Sequence, residues 1–136
     1  MMFTTSFGVE WGDCDEAGIA YYPRYFYWMD CAFHRFLRAR GLRYREFKQR
    51  FGAELLLVDA GAHFSAPLTY DSEFHIRVHV AEWQERRFRL TYDLVQDEKP
   101  IGSASEVRAW AFAEGGRLRS GPIPEAFRAL IEREDG

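Results

Sequence analysis

A chain of 136 residues with 47% apolar and 17% aromatic side chains has the size and content for one packed domain, residues 1–136, rather than for a disordered segment. Its net charge of −3 argues against a nucleic-acid binder, which carries a strong basic excess. Cys14 and Cys31 lie in no zinc-type spacing and are too few for a disulfide scaffold, so a reduced, cytoplasmic setting is expected. The start, MMFTTSFGVEWGD, does not read as a signal peptide, and no stretch approaches the roughly 20 apolar residues that span a bilayer.

Residues 3 to 11 alternate, with Phe3, Phe7, Val9 and Trp11 on one parity, which predicts a half-buried strand. Asp13 to Tyr21 is rich in acids and glycine and predicts a loop. A helix follows from about Tyr22 to Arg40, with Pro23 at its first position and Gly41 at its left-handed stop. Tyr25, Trp28, Met29, Ala32, Phe33, Phe36 and Leu37 recur at helical spacing and mark one broad apolar face. A short helix is expected over Tyr44 to Phe51.

Strands dominate the rest. Glu54 to Val58 and the run after Gly61 join into one long strand with a bulge expected at Gly61. Residues 73–81 and 87–95 alternate strictly, and another strand is centred on Val107 and Trp110. Glu98-Lys99-Pro100 marks a turn, and residues 124–134 form a terminal helix. The order is strand, long helix, four strands, helix. Short links favour an antiparallel sheet, so the class is α+β, with one helix covering a sheet face. An open sheet edge invites pairing with a second copy.

The stretch WGDCDEAGIAYYPRYFYWMDCA, residues 11–32, sets an acidic loop at the mouth of an aromatic helix. A calcium loop wants an oxygen ligand where Ala17 stands and a bidentate glutamate where Arg24 stands, and has neither. A cysteine nucleophile works as its thiolate, which Asp13 and Asp15 on either side of Cys14 disfavour. A carboxylate beside a helix N-terminus has a third use. Unpaired amides and the helix dipole stabilise a carbonyl oxygen that gains charge, while the acid attacks the carbon or activates a water. The same acids can instead cap the helix or brace the turn.

GDCDEAGIAYYPRYFYWMDCA resembles the N-terminal motif of the 4-hydroxybenzoyl-CoA thioesterase family, in the branch with a catalytic aspartate. The similarity runs along nearly the whole chain, with echoes in SAPLTYD (Ser65–Asp71), Glu82-Trp83 and GRLR (Gly116–Arg119). The resemblance implies a hotdog fold: a curved antiparallel sheet wrapped around a long helix. It also implies dimers or tetramers with sites at subunit interfaces, and hydrolysis of acyl-CoA thioesters without metal or cofactor, coenzyme A being part of the substrate.

Residue by residue, the resemblance makes Asp15 the catalytic carboxylate and the Tyr22 N–H the group that polarises the thioester carbonyl. Pro23 has no N–H to give, which independently favours Tyr22. Asp13 becomes a turn residue. Gly18 and Asp30 fall at the substrate, Asp30 matching an acid near the acyl pocket, although pairing with His34 one turn on is an ordinary use for it. Arg86, Arg87, Arg117 and Arg119 match places that hold the nucleotide and its phosphates. His63, His75 and His79 read as surface or satisfied residues. The expected activity is hydrolysis of an aryl-CoA. The alternatives are an aliphatic acyl-CoA or carrier-protein thioester, and a non-catalytic acyl-CoA binder on the same fold.

Overall fold

The apolar alternation resolves into one antiparallel sheet in the computed structural model, which describes residues 2–134. Strands β1 (Phe3–Gly8), β2 (Ala53–Phe64), β3 (Glu73–Trp83), β4 (Arg87–Gln96) and β5 (Lys99–Glu114) pair in the order β1-β3-β4-β5-β2. A short β6 (Arg117–Ser120) pairs with the end of β5. The helices are α1 (Pro23–Ala39), α2 (Tyr44–Phe51) and α3 (Glu125–Glu132). Among the described residues no helix is long and apolar enough to cross a membrane.

The α1 stripe read from the sequence is the stripe that is buried: Tyr25, Trp28, Met29, Ala32, Phe33, Phe36 and Leu37. It packs in one core with Phe74, Ile76 and Val78 of β3 and Phe88, Leu90 and Tyr92 of β4. Each such side chain contributes about 1.5–3 kcal/mol by leaving water, so packing rather than helix propensity holds α1 in place. Phe36 is fully buried and stacks on Phe3 with ring centroids 5.3 Å apart, tying the helix to the first strand. Phe36→Ala would empty that contact at a cost of about 3–5 kcal/mol. Gly41, at φ 74°, closes the helix in the left-handed conformation expected of it.

Four details differ from the sequence reading. β1 stops at Gly8 and a 3₁₀ turn takes Trp11–Asp13, so the alternation breaks and Trp11 ends 66% exposed instead of facing inward. β2 is one long strand as expected, but its bulge lies at Val58, between the pairs Leu57↔Arg108 and Asp59↔Val107, while Gly61 pairs regularly with Ser105. Asp97 and Glu98 make the β4–β5 turn with φ of 50° and 63°, leaving Lys99 and Pro100 inside β5. The GRLR stretch forms a strand of its own: Gly115 and Gly116, both at positive φ, turn the chain so that β6 folds back on β5.

Candidate active site

Asp13 organises the entry to α1. It is buried, its Oδ2 accepts the Glu10 N–H at 2.8 Å, and its Oδ1 accepts Arg24 Nε–H at 2.7 Å. Its carbonyl accepts the Tyr21 N–H at 2.8 Å. The residue therefore locks the strand exit to the helix start, which is the turn role expected of it.

Opening an α-helix leaves four amides in search of partners. Here Pro23 has no N–H, Arg24 N–H donates to Tyr21 O at 2.9 Å, and Tyr25 N–H donates to Tyr22 O at 3.2 Å. Tyr22, the N-cap residue, makes no side-chain cap, so the acids of the loop do not cap this helix. The Tyr22 N–H remains as the available donor among the described residues, with the positive end of a 17-residue helix behind it. Tyr22 also lines an open cavity of about 320 Å³ together with Ile19, Ala20, Tyr25 and Phe64–Pro67. The first residues of SAPLTYD form its far wall, and backbone bonds hold that segment to the acidic loop: Ala20 N–H to Leu68 O at 2.8 Å and Tyr70 N–H to Gly18 O at 3.0 Å.

Asp15 stands at the tip of the loop that Cys14 and Ala20 close by a β-bridge. It is exposed, and its Oδ1 accepts the Ala17 N–H at 2.8 Å. One carboxylate oxygen thus braces the turn while Oδ2 stays free among the described residues. Gly18, at φ 76°, completes that turn by donating its N–H to Asp15 O at 3.0 Å, a conformation any side chain would strain. Within one chain Asp15 does not line the Tyr22 cavity; its neighbours Ile19 and Ala20 do. Cys14 donates to Glu10 O at 3.6 Å, and its thiol is pushed up by burial first and then by the charges of Asp13 and Asp15. That is the reverse of what a nucleophilic cysteine needs.

Asp30 lies two turns further along α1. Its Oδ1 meets His34 Nε2 at 3.6 Å, the expected pairing, and also accepts from Arg108 at 3.1 Å. Arg108 belongs to a buried cluster that the sequence reading missed. Its guanidinium donates to Glu106 at 3.2 and 3.3 Å and to Leu55 O at 3.3 Å, and Tyr92 OH donates to Glu106 at 2.6 Å. Burial opposes the Arg108 charge, but Glu106, Tyr92 and Asp30 outweigh it and hold the group protonated. Burial and the Glu106 charge push the Tyr92 hydroxyl well up. The signal was available: Glu106 and Arg108 share strand parity with Trp110, so three core-facing positions include two charges.

The arginines gather at the other end of the molecule. Arg86, in the β3–β4 turn, donates to Ser120 O at 3.3 Å and Oγ at 3.1 Å. Arg119 and Arg117 lie on β6 opposite Phe112 and Glu114, and Arg87 opens β4 beside Ala109. All four are exposed. The two sequence clusters thus become one basic end. His75 bonds Ser6 Oγ at 2.8 Å and His79 bonds Thr91, the satisfied state expected for both, and His63 lies exposed on β2.

A curled antiparallel sheet around one long helix, with an open helix N-terminus facing a cavity, is the build of a hotdog-fold thioester hydrolase. The chain belongs to the Thioesterase-like superfamily, whose model matches residues 9–131. It is 29% identical over 129 residues to 4-hydroxybenzoyl-CoA thioesterase from Pseudomonas sp. (strain CBS-3), covering 90% of this chain and 92% of that one. Among solved structures it resembles a mutant 4-hydroxybenzoyl-CoA thioesterase complexed with 4-hydroxybenzoyl-CoA, at 27% identity and a TM-score of 0.88, covering 96% and 99% of the two chains. A gentisyl-coenzyme A thioesterase matches at 31% identity and a TM-score of 0.83, covering 96% of this chain and all of that one.

Proposed function

We propose that this protein hydrolyses an aryl-CoA thioester to the free acid and coenzyme A, with Asp15 as nucleophile or general base. The observation that carries the reading is the start of α1, where the Tyr22 N–H is left available at the rim of an open cavity. That amide would donate to the thioester carbonyl oxygen. Its hydrogen bond strengthens as the oxygen gains charge, and one such donor is worth about 10²–10³ in rate. Asp15, braced by Ala17 through one oxygen, would use the other to attack the carbonyl carbon or to take a proton from the attacking water. Nothing in this chemistry calls for a metal or cofactor. The relatives named for hydroxybenzoyl-CoA and gentisyl-CoA, together with the aromatic rings along α1, support an aryl acyl group such as benzoyl or hydroxybenzoyl.

Distances within the chain support a homo-oligomer. Tyr22 shares its cavity with Phe64, at one end of β2, whereas Arg119 pairs with Phe112, which pairs with Ala53 at the other end. Twelve residues of strand separate them by about 36 Å. Pairing β2 antiparallel with its copy would bring one protomer's arginines toward the other's Tyr22. The outer edge of β2 suits that role, since it leaves Leu56, Leu57 and Val58 exposed. In that arrangement Arg86, Arg87, Arg117 and Arg119 hold the nucleotide phosphates, Gly18 shapes the approach to the thioester, and Asp30 lies at the acyl group. The two free thiols, Cys14 and Cys31, suit a reducing, cytoplasmic setting.

The decisive experiment is thiol release from a panel of benzoyl-, hydroxybenzoyl- and straight-chain acyl-CoA esters and an acyl-carrier-protein thioester. Fastest turnover of the aryl-CoA esters is expected. Turnover confined to aliphatic or carrier-protein thioesters would move the substrate class, and tight binding without release would leave a binder in place of an enzyme.

A further inference from the structure

The ring of Tyr25 is clamped. It lies on the buried face of α1, 5% exposed, with the Trp28 ring edge-on at 5.5 Å and the Phe64 ring at 4.2 Å between centroids. A phenol held in this way keeps one freedom, rotation of its O–H bond. Its oxygen accepts the Leu68 N–H at 3.4 Å, near the limit for a hydrogen bond. An N–H can only donate, so this contact leaves the proton of the hydroxyl unused, and among the described residues it has no acceptor. Buried tyrosine hydroxyls ordinarily donate to a partner, and an unmatched polar group at this depth costs about 1–3 kcal/mol. Tyr92, in the same core, shows the ordinary case: its hydroxyl donates to Glu106 at 2.6 Å.

The unmatched proton lies beside the candidate site. Tyr25 lines the same cavity of about 320 Å³ as Tyr22. Leu68, which holds the hydroxyl, follows Pro67 of the far wall, and its carbonyl takes the N–H of Ala20 from the near wall at 2.8 Å. The hydroxyl therefore stands where the two walls are tied together. Tyr25 also comes about 4.5 Å after Tyr22 along the helix axis, and helical side chains lean back toward the N-terminus. An amide and a phenol, each with a hydrogen to give, thus border one cavity. Burial pushes the phenol up, the Leu68 N–H pulls it down and Cys14 pushes it up again; the balance is upward, so the group stays protonated at neutral pH. A carbonyl oxygen that turns into an oxyanion has lone pairs for more than one donor.

We propose that the Tyr25 hydroxyl is a second catalytic donor to the thioester carbonyl oxygen, acting beside the Tyr22 N–H as that oxygen gains charge. The inference rests on the thioesterase reading above. No proton changes hands: the phenol keeps its hydrogen in a bond that strengthens as C=O becomes C–O⁻ and relaxes as the carbonyl re-forms and the thiolate leaves.

Tyr25→Phe keeps the ring contacts and removes the O–H. It should lower kcat by about 100-fold with little change in KM, and by a similar factor for every acyl-CoA ester the parent turns over, because the carbonyl is common to all. A residue that only shaped the acyl pocket would move KM and treat the acyl groups differently. Tyr25→Phe also strips the Leu68 N–H of its acceptor, so a second variant separates donor from brace. Placing 3,5-difluorotyrosine at position 25 keeps the oxygen but lowers the pKa of the phenol. Once ionised, that oxygen still accepts from Leu68 and has no proton to donate. The variant should keep near-parental kcat on the acid side and lose it on the alkaline side at a pH where the parent does not. Parental kcat for Tyr25→Phe, or a parental pH profile for the difluorotyrosine protein, would overturn the proposal. A parent that releases thiol from no thioester would remove the thioesterase reading, and this inference with it.

Discussion

Two carboxylates on the flanks of α1 are handled in opposite ways. Asp15 is exposed, with one oxygen on a turn amide and the other left over. Glu106, reaching up from the sheet below the helix, is 3% exposed and shared between a tyrosine hydroxyl and a guanidinium. A group meant to react needs an unsatisfied lone pair and access. A group meant to hold others in place needs every partner it can reach, because an unmatched charge at that depth is costly. On the function proposed above, the two sites differ in what a mutation would remove: chemistry in one, structure in the other.

The largest effects test that contrast directly. Asp15→Asn should lower kcat by at least about 100-fold, the low end for a general base, while KM moves little because the lost interaction serves the transition state. Its urea midpoint should stay with the parent's, as for an exposed substitution. Glu16→Gln, one residue on and equally exposed, should keep parental turnover. Glu106→Ala should do the reverse and lose about 3–5 kcal/mol of stability by stranding Arg108 and Tyr92. A folded Asp15→Asn protein at the parental rate would end the carboxylate mechanism, and an unshifted denaturation curve for Glu106→Ala would end the structural role.

The proposed sharing of the site between two copies makes assembly the next lever. Leu57 and Val58 are 54% and 45% exposed on the outer edge of β2. Lysine at both should block edge pairing, so sedimentation should move from dimer or tetramer to monomer and turnover should fall with it. A monomer with full activity would contradict a site built from two copies.

How much of this was legible in the sequence depends on how local the cause is. The α1 stripe, its proline start and its glycine stop are set within a few turns, and all of them hold. The β2 bulge is set by pairing with β5, more than 40 residues away, and the glycine within the strand pointed to the wrong position. Trp11 followed the strand's parity three residues beyond Gly8, where the backbone leaves the strand. Around the candidate site, the placement of Asp13, Asp15, Gly18 and Tyr22 in one loop and helix start was readable because that stretch is contiguous. Arg108 was not, because the residues that give it meaning come from α1, β2, β4 and β5 together. Centring that strand on Val107 alongside Trp110 mixed its two faces and hid the inward-facing charges.

A smaller effect is expected at the basic end. Arg117→Glu with Arg119→Glu should raise KM for CoA esters by about tenfold, and much less for thioesters that lack the nucleotide. Both residues are exposed on β6, so the fold should tolerate the change. Equal effects on the two substrate types would take them out of the CoA path and leave the four-arginine end as solvated surface.

The smallest effect reports on Asp15 without any substrate. Cys14 is a free thiol held above the ordinary thiol range, by burial first and then by Asp13 and Asp15. Alkylation proceeds through the thiolate, so a raised pKa means a smaller reactive fraction at a given pH and a slower reaction. Iodoacetamide at pH 8, followed by mapping of the modified peptide, should therefore label Cys14 more slowly than an unstructured cysteine peptide. Asp13 cannot be neutralised cleanly, because its ion pair with Arg24 holds the helix start. Asp15→Asn removes the lesser of the two charges and leaves the turn acceptor in place, since an asparagine carbonyl also accepts from Ala17 N–H. The labelling rate should rise a few-fold, with the midpoint of its pH profile moving down. Burial still holds the thiol up, so the rate should not reach that of the free peptide. An unchanged rate would mean that the Asp15 charge does not reach Cys14, and the loop geometry that sets the two side by side would have to be redrawn.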